Sequence, residues 1–150
     1  MDLTKLKQLR SITGAGIADC REALDHSGGD ITKAENYLKE KGIEKAVKKS
    51  DRETGAGLVE SYVHGGGKIG VLIEINCETD FVGRTDDFKT LAHELAMQVS
   101  AMNPKDTSDL MKQAYIRDPQ ITIEALIKSA IAKLGENITV NRFSRIALGE

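Results

Sequence analysis

The chain reads as an α+β protein, with an N-terminal three-helix module followed by a three-stranded antiparallel sheet packed with helices. Three observations predict this. Apolar residues recur at helical spacing as far as residue 40. From Gly55 the spacing shifts to two, in alternating runs that flank Gly65-Gly66-Gly67. Helical spacing returns at Phe88 and again at Ile123, and a last alternating run starts at Ile138. A period near 3.6 marks a helix with one buried face, and a period of two marks a half-buried strand.

In chain order, Leu3, Leu6, Leu9 and Ile12 form the first helical stripe, and Thr13-Gly14-Ala15-Gly16 interrupts it. Ile17, Cys20, Ala23 and Leu24 form the second, ended by Ser27-Gly28-Gly29. Asp30 is placed to cap the third, with Ile31, Ala34, Tyr37 and Leu38 inward and Gly42 as the stop. Short helices bury one another only as a compact triangle, so residues 1–40 are expected to form one small helical domain. Residues 41–54 are charged and can be helical but offer little apolar face, which predicts a solvated linker. Residues 55–150 make up the α+β core domain. Its first two strands, 58–64 and 68–77, are joined by glycines that supply positive φ.

Thr85 caps a helix whose stripe is Phe88, Leu91, Ala92, Leu95, Val99 and Met102, and Asn103-Pro104 ends it. Residues 103–120 read as polar and irregular, weakly helical near Leu110, Met111 and Ala114. Thr122 caps an amphipathic helix of Ile123, Leu126, Ile127, Ala130, Ile131 and Leu134, closed by Gly135. In the final strand, Ile138 to Phe143, the alternation slips at Arg142-Phe143, where a bulge or a twist is expected.

Composition excludes several function classes. The 150 residues are 40% hydrophobic and 29% charged, as in a soluble globular protein. No apolar run approaches the ~20 residues that cross a bilayer. The start, Met1-Asp2-Leu3-Thr4-Lys5, lacks signal or transit character, so a cytoplasmic protein without a membrane partner is expected. A net charge of −2 argues against direct nucleic-acid binding, whose footprint is basic. Cys20 and Cys77 are in neither a CxxC nor a zinc spacing and fall on inward faces, so they read as reduced structural thiols, with no metal or cofactor. His64 flanks the glycine turn and His93 lies off its helix stripe. Neither histidine has a nucleophile beside it in sequence, and no catalytic residues are assigned.

The stretch Asn76-Cys77-Glu78-Thr79-Asp80-Phe81-Val82 stands apart. It joins a strand to a helix and carries a carboxylate, Asp80, next to a large aromatic, Phe81. With aromatics at only 4% of the chain, Phe81 is a large share of the available contact surface. Two readings are open: a charge and a wedge offered to a partner, or a core residue packed on Phe88 or Leu91.

Three stretches together resemble bacterial elongation factor Ts. The first is Leu9 to Gly16 with Asp19-Cys20-Arg21-Glu22-Ala23-Leu24 and Gly29-Asp30. The second is Asn76 to Val82. The third is Ile131-Ala132-Lys133-Leu134-Gly135-Glu136-Asn137-Ile138 with Arg142-Phe143. They occur in the family's order across nearly the whole chain.

The resemblance implies that residues 1–40 are a UBA-like (ubiquitin-associated type) domain and that the protein is a guanine-nucleotide exchange factor for GDP-bound elongation factor Tu in translation elongation, not an enzyme. It implies partner binding through Arg10, Ile12, Thr13, Gly14, Ala15, Gly16, Ile17 and Ala18. Thr79, Asp80, Phe81 and Val82 would dislodge the Mg2+ of the bound nucleotide, with Phe81 entering an apolar cleft of the partner and Asp80 making polar contacts. Long family members carry two related core halves and a protruding helical hairpin. Residues 55–150 suffice for one half, and 103–120 is too short for the hairpin. The chain therefore resembles the short form, and a homodimer or a 2:2 complex with the partner is expected.

Overall fold

The computed structural model describes residues 2–150; Met1, the first residue of the predicted helical domain, lies outside the described residues. Helix α1 spans Leu3–Thr13, α2 spans Ile17–His26 and α3 spans Ile31–Lys49. The Asp2 and Asp30 carboxylates accept the free N–H groups at the starts of α1 and α3. Leu6, Leu9, Cys20, Ala23, Leu24 and Ala34 close one apolar cluster between the three helices, with Tyr37 and Leu38 at its edge. The Tyr37 hydroxyl donates to Glu22 at 2.8 Å and Lys41 pairs with the same carboxylate. Lys41 first, and Tyr37 second, hold the Glu22 carboxyl below its ordinary range.

The stretch expected as a linker, 41–54, is helix through Lys49, and the boundary drawn at residue 40 falls inside α3. Gly42 does not stop the helix; it is buried with Ala46 one turn on. A Cβ on Gly42 would stand 3.0 Å from the Cβ of Ala132, so the bare backbone is what lets a second helix approach. Burial of that seam outweighs the roughly 1 kcal/mol helix penalty of glycine.

The remaining elements, in order, are β1 (Ala56–His64), β2 (Ile69–Cys77), α4 (Asp80–Gly83), α5 (Asp86–Met102), α6 (Thr107–Lys112), β3 (Ala114–Tyr115), β4 (Asp118–Thr122), α7 (Ile123–Leu134) and β5 (Ile138–Ala147). The main sheet is antiparallel in the order β1-β2-β5. Val71, Ile73, Ile75 and Cys77 turn inward from β2 and meet Phe88, Leu91, Leu95 and Val99 of α5 and Ile127 and Ile131 of α7 in the larger cluster, which Ala46 of α3 joins. The expected caps are present: the Thr85 and Thr122 hydroxyls accept from Phe88 and Ala125, and Asn103 and Gly135 end their helices at positive φ.

Three further expectations need correction. The bulge lies at Asn141, because Glu74 pairs with Arg142 and Ile75 with Val140. The last strand runs on to Ala147, since β2 offers it a full edge. Within 103–120 the helical stretch expected near Leu110 and Met111 is present as α6, but Ala114 and the residues after it are ordered as a small antiparallel pair, β3 with β4. Buried Gln98 of α5 explains that order: its amide donates to Ala114 O at 3.0 Å and its oxygen accepts from Ile116 N at 3.0 Å. One side chain thus satisfies the backbone a third strand would otherwise serve.

Candidate functional site

The strand-to-helix joint is built outward from β2. Cys77 is buried, and its Sγ donates to Thr79 O at 3.2 Å; burial, reinforced by the Glu136 carboxylate, pushes the thiol above its ordinary pKa. Beneath the joint, Gly57 of β1 sits at φ +133°, where a Cβ would stand 2.0 Å from Ile75 O. Only glycine fits that close approach. Thr79 is extended and begins the one-turn helix α4, its hydroxyl accepting from Val82 N at 3.4 Å. Val82 and Gly83 turn into the core. Thr79 and Asp80 are exposed, and Phe81 is 82% exposed.

Of the two readings of Phe81, the core one is therefore excluded. The ring packs on neither Phe88 nor Leu91 to any useful extent, while Phe88 is fully buried. Val82 is set apart from its three predecessors as the inward anchor of the tip. An exposed aromatic held on a capped turn is a poor use of apolar surface in an isolated chain and a suitable contact for a partner.

Two residues brace the tip from the α7–β5 turn. Glu136 accepts from Thr79 N at 2.9 Å and from the Thr79 hydroxyl at 2.7 Å. Asn137, buried, donates its backbone N–H to Glu78 at 2.7 Å and its amide to Ser50 O and Arg52 O at 3.3 and 2.9 Å. Sequence reasoning assigned neither a role. The signal was present in the strand pairing, because Cys77 opposite Ile138 places Thr79 opposite Glu136 two steps on.

The other predicted residues gather at the α1–α2 turn. Gly14 ends α1 at φ +67°, donating to Arg10 O at 2.8 Å, and the Thr13 hydroxyl bonds Leu9 O at 2.8 Å and accepts from Ala15 N at 3.3 Å. Gly16 opens α2 without a side-chain cap. Arg10, Gly14, Gly16 and Ala18 face solvent, and Ile12 and Ile17 are 53% and 55% exposed. Thr13 and Ala15 are half-buried.

Tip and turn are linked through Lys133 of α7. Its stem lies against Gly14, where a Cβ would meet Cε at 2.9 Å, and its Nζ pairs with Asp87 in the first turn of α5 at 3.2 Å. Beside this link a groove of about 360 Å³ runs between the turn, α3 and α7, lined by Ile12, Leu38, Gly42, Ile43, Ala125 and Ala132.

The histidines lie elsewhere. His64 Nδ1 bonds the Tyr62 hydroxyl at 2.8 Å, and His93 stands 4.0 Å from Glu60. Among the described residues no three His, Cys, Asp or Glu side chains come together as a metal site, and no helix is long and apolar enough to cross a membrane.

Comparison with known proteins places this geometry in context. The family model of elongation factor TS matches residues 31–105 and again 78–150, so the stretch from Glu78 through α5 answers to it twice. An elongation factor Ts of Desulfosudis oleivorans is 41% identical over 190 residues, covering 97% of this chain and 96% of the relative. One of Rippkaea orientalis is 43% identical over 192 residues, covering 97% and 77%. One of Leptospira biflexa is 42% identical over 190 residues, covering 97% and 96%. These alignments are longer than the 150-residue chain, so the relatives carry interior positions that have no counterpart here.

Proposed function

The chain belongs to the elongation factor Ts family, and on that premise we propose that it is a guanine-nucleotide exchange factor for elongation factor Tu, acting on the GDP-bound form. The observation that carries the proposal is Phe81, 82% exposed at the end of a braced one-turn helix. GDP is held on a GTPase chiefly by Mg2+ and by loop amides around its phosphates. A ring inserted between two partner helices shifts the groups that support the ion, and a displaced Mg2+ releases its hold on the diphosphate. Asp80 faces solvent beside the ring and supplies the polar contacts at the cleft mouth.

Residues 2–40 are the docking unit in this reading, with the exposed Arg10, Ile12, Gly14, Gly16, Ile17 and Ala18 as its contact surface and Thr13 and Ala15 shaping the turn. Residues 55–150 are the unit that carries the wedge, and 41–54 connects them largely as helix. Energy gained at the turn holds the partner in the distorted state. Linkage requires that the chain weaken GDP by the factor by which GDP weakens the chain. No covalent bond changes, so the protein accelerates release without being an enzyme, and it works in the cytoplasm with no cofactor, membrane or nucleic acid of its own.

The chain acts as a homodimer, alone or in a 2:2 complex. Val59, Val63, Leu72 and Ile146 project from the face of the sheet opposite α5, each more than half exposed. A second copy laid on that face buries them. Light scattering that finds a monomer at micromolar concentration, still active in exchange, refutes the dimer.

The exchange proposal is tested with elongation factor Tu loaded with fluorescent GDP. Catalytic amounts of this chain, with unlabelled GDP in excess, are expected to speed release. An unchanged release rate refutes the assignment.

A further inference from the structure

The geometry points to Glu136 as a positioning residue: its carboxylate grips Thr79 from outside the tip and sets the direction in which α4 presents Asp80 and Phe81. The consequence for nucleotide release rests on the exchange reading above. The brace is a property of this chain alone.

A helix of one turn does not persist on its own hydrogen bonds. In α4 these are Gly83 N to Thr79 O at 3.2 Å and Arg84 N to Asp80 O at 3.1 Å, and the capping bond from Val82 N to the Thr79 hydroxyl is long at 3.4 Å. The bonds to Glu136 are shorter, at 2.9 and 2.7 Å, and both end on a charged acceptor. One bond would leave Thr79 free to swivel about it. Two, from the backbone N–H and the hydroxyl of the same residue, fix both its place and its rotation.

The hydroxyl has a single proton. Because that proton goes to Glu136, the oxygen is left to accept from Val82 N–H, so the carboxylate also orients the cap. Glu136 is held in turn. Gly135 ends α7 at φ +79°, and β5 pairs with β2 from Ile138 opposite Cys77. Asn137 ties the same turn to Glu78 and to Ser50 O and Arg52 O at the end of α3.

The test compares wild type with Glu136→Gln, Thr79→Val, Thr79→Ser and the Glu136→Gln/Thr79→Val double variant. Gln keeps the shape of Glu and one acceptor oxygen, Val keeps the shape of Thr without the hydroxyl, and Ser restores the hydroxyl. Two quantities are read: amide hydrogen exchange across residues 79–83, and fluorescent GDP release from elongation factor Tu as a function of chain concentration.

In Glu136→Gln and Thr79→Val the amides of Val82 and Gly83 are expected to exchange faster, with α5 protected as in wild type. The maximal release rate falls about tenfold, as misplacement of a working group by a fraction of an ångström to an ångström does. The half-saturating concentration moves less than about threefold, because the α1–α2 turn still docks, and the double variant is no slower than either single one, as for two residues in one contact. Thr79→Ser retains most of the wild-type rate. Unchanged amide protection, a wild-type release rate in Glu136→Gln, losses that multiply in the double variant, or a loss confined to half-saturation each overturn the inference. If the wild-type chain itself fails to speed GDP release, the exchange reading falls, and the amide data still decide whether Glu136 holds the tip.

Discussion

Truncating Phe81 to alanine separates a wedge from a core residue by two magnitudes. Within the free chain, Phe81 hides about a fifth of its surface. At about 25 cal/mol per Å² and about 200 Å² for a whole side chain, that is at most ~1 kcal/mol of folding stability. Phe88, fully buried seven positions on, should cost about 3–5 kcal/mol on the same truncation. Urea unfolding of Phe81→Ala should therefore give a midpoint close to wild type, and that of Phe88→Ala a much lower one.

Against the partner the order reverses. Burying the exposed four-fifths of the Phe81 ring in an apolar cleft is worth up to about 4 kcal/mol by the same coefficient. If most of that energy appears only in the distorted, Mg2+-displaced state, its loss slows GDP release by up to roughly a thousandfold. Affinity for the partner, held at the α1–α2 turn, changes far less. The assay is stopped-flow release of fluorescent GDP over a range of chain concentrations, beside direct titration of the partner. Two results refute the reasoning: an unfolding midpoint that falls as far as in Phe88→Ala, or an affinity that falls as much as the rate. In the second case Phe81 is an anchor and not a wedge.

Asp80→Ala, an exposed carboxylate beside the ring, should slow release by less than Phe81→Ala in the same assay. Gly42→Leu drives a branched side chain into a seam where even a Cβ would stand 3.0 Å from Ala132; it should cost about 1–3 kcal/mol by urea unfolding, and Ala132→Gly in the same chain should recover part of it. Tyr115 is raised to about 12, by burial first and then by the bond its hydroxyl donates to Glu94 at 2.5 Å. A group whose folded pKa is raised contributes stability that is complete below its unfolded pKa, near 10, and is lost as pH climbs toward about 12. Wild type should therefore lose stability relative to Tyr115→Phe between pH 10 and 12, and the difference should be flat below pH 9, as followed by urea midpoints.

Much of the fold was legible because its signals are local. Asp30, Thr85 and Thr122 carry capping oxygens next to apolar stripes, and all three bond as expected. The misread segments are those whose order comes from elsewhere in the chain. Gly42 and Ala46 form a seam of small residues, which adds almost nothing to hydrophobic periodicity and matters only once α7 lies against it. Residues 103–120 look irregular because their backbone is satisfied by Gln98, a polar side chain on a helix that periodicity assigns to solvent. At the tip, the charge–aromatic pair was visible, but its exposure was not, since wedge and core predict the same residues. Glu136 needed the register of two strands distant in sequence.

The residues that were hardest to read are ones on which the proposed exchange mechanism would depend. A wedge converts docking energy into distortion only if the wedge and the docking surface are stiffly joined; a compliant joint would let the tip yield instead of the partner. Here the joint has several parallel members. Lys133 connects the Gly14 turn to Asp87, Gly42 locks α3 against Ala132, and Asn137 ties the end of α3 to Glu78. Glu136 completes the path to Thr79. Every member includes a residue of α7 or of the turn that follows it. The segment Lys133-Leu134-Gly135-Glu136-Asn137 touches the α1–α2 turn, the residues at and just past the end of α3, and the tip, so in the proposed exchange reading it is the place where docking and prying become one event.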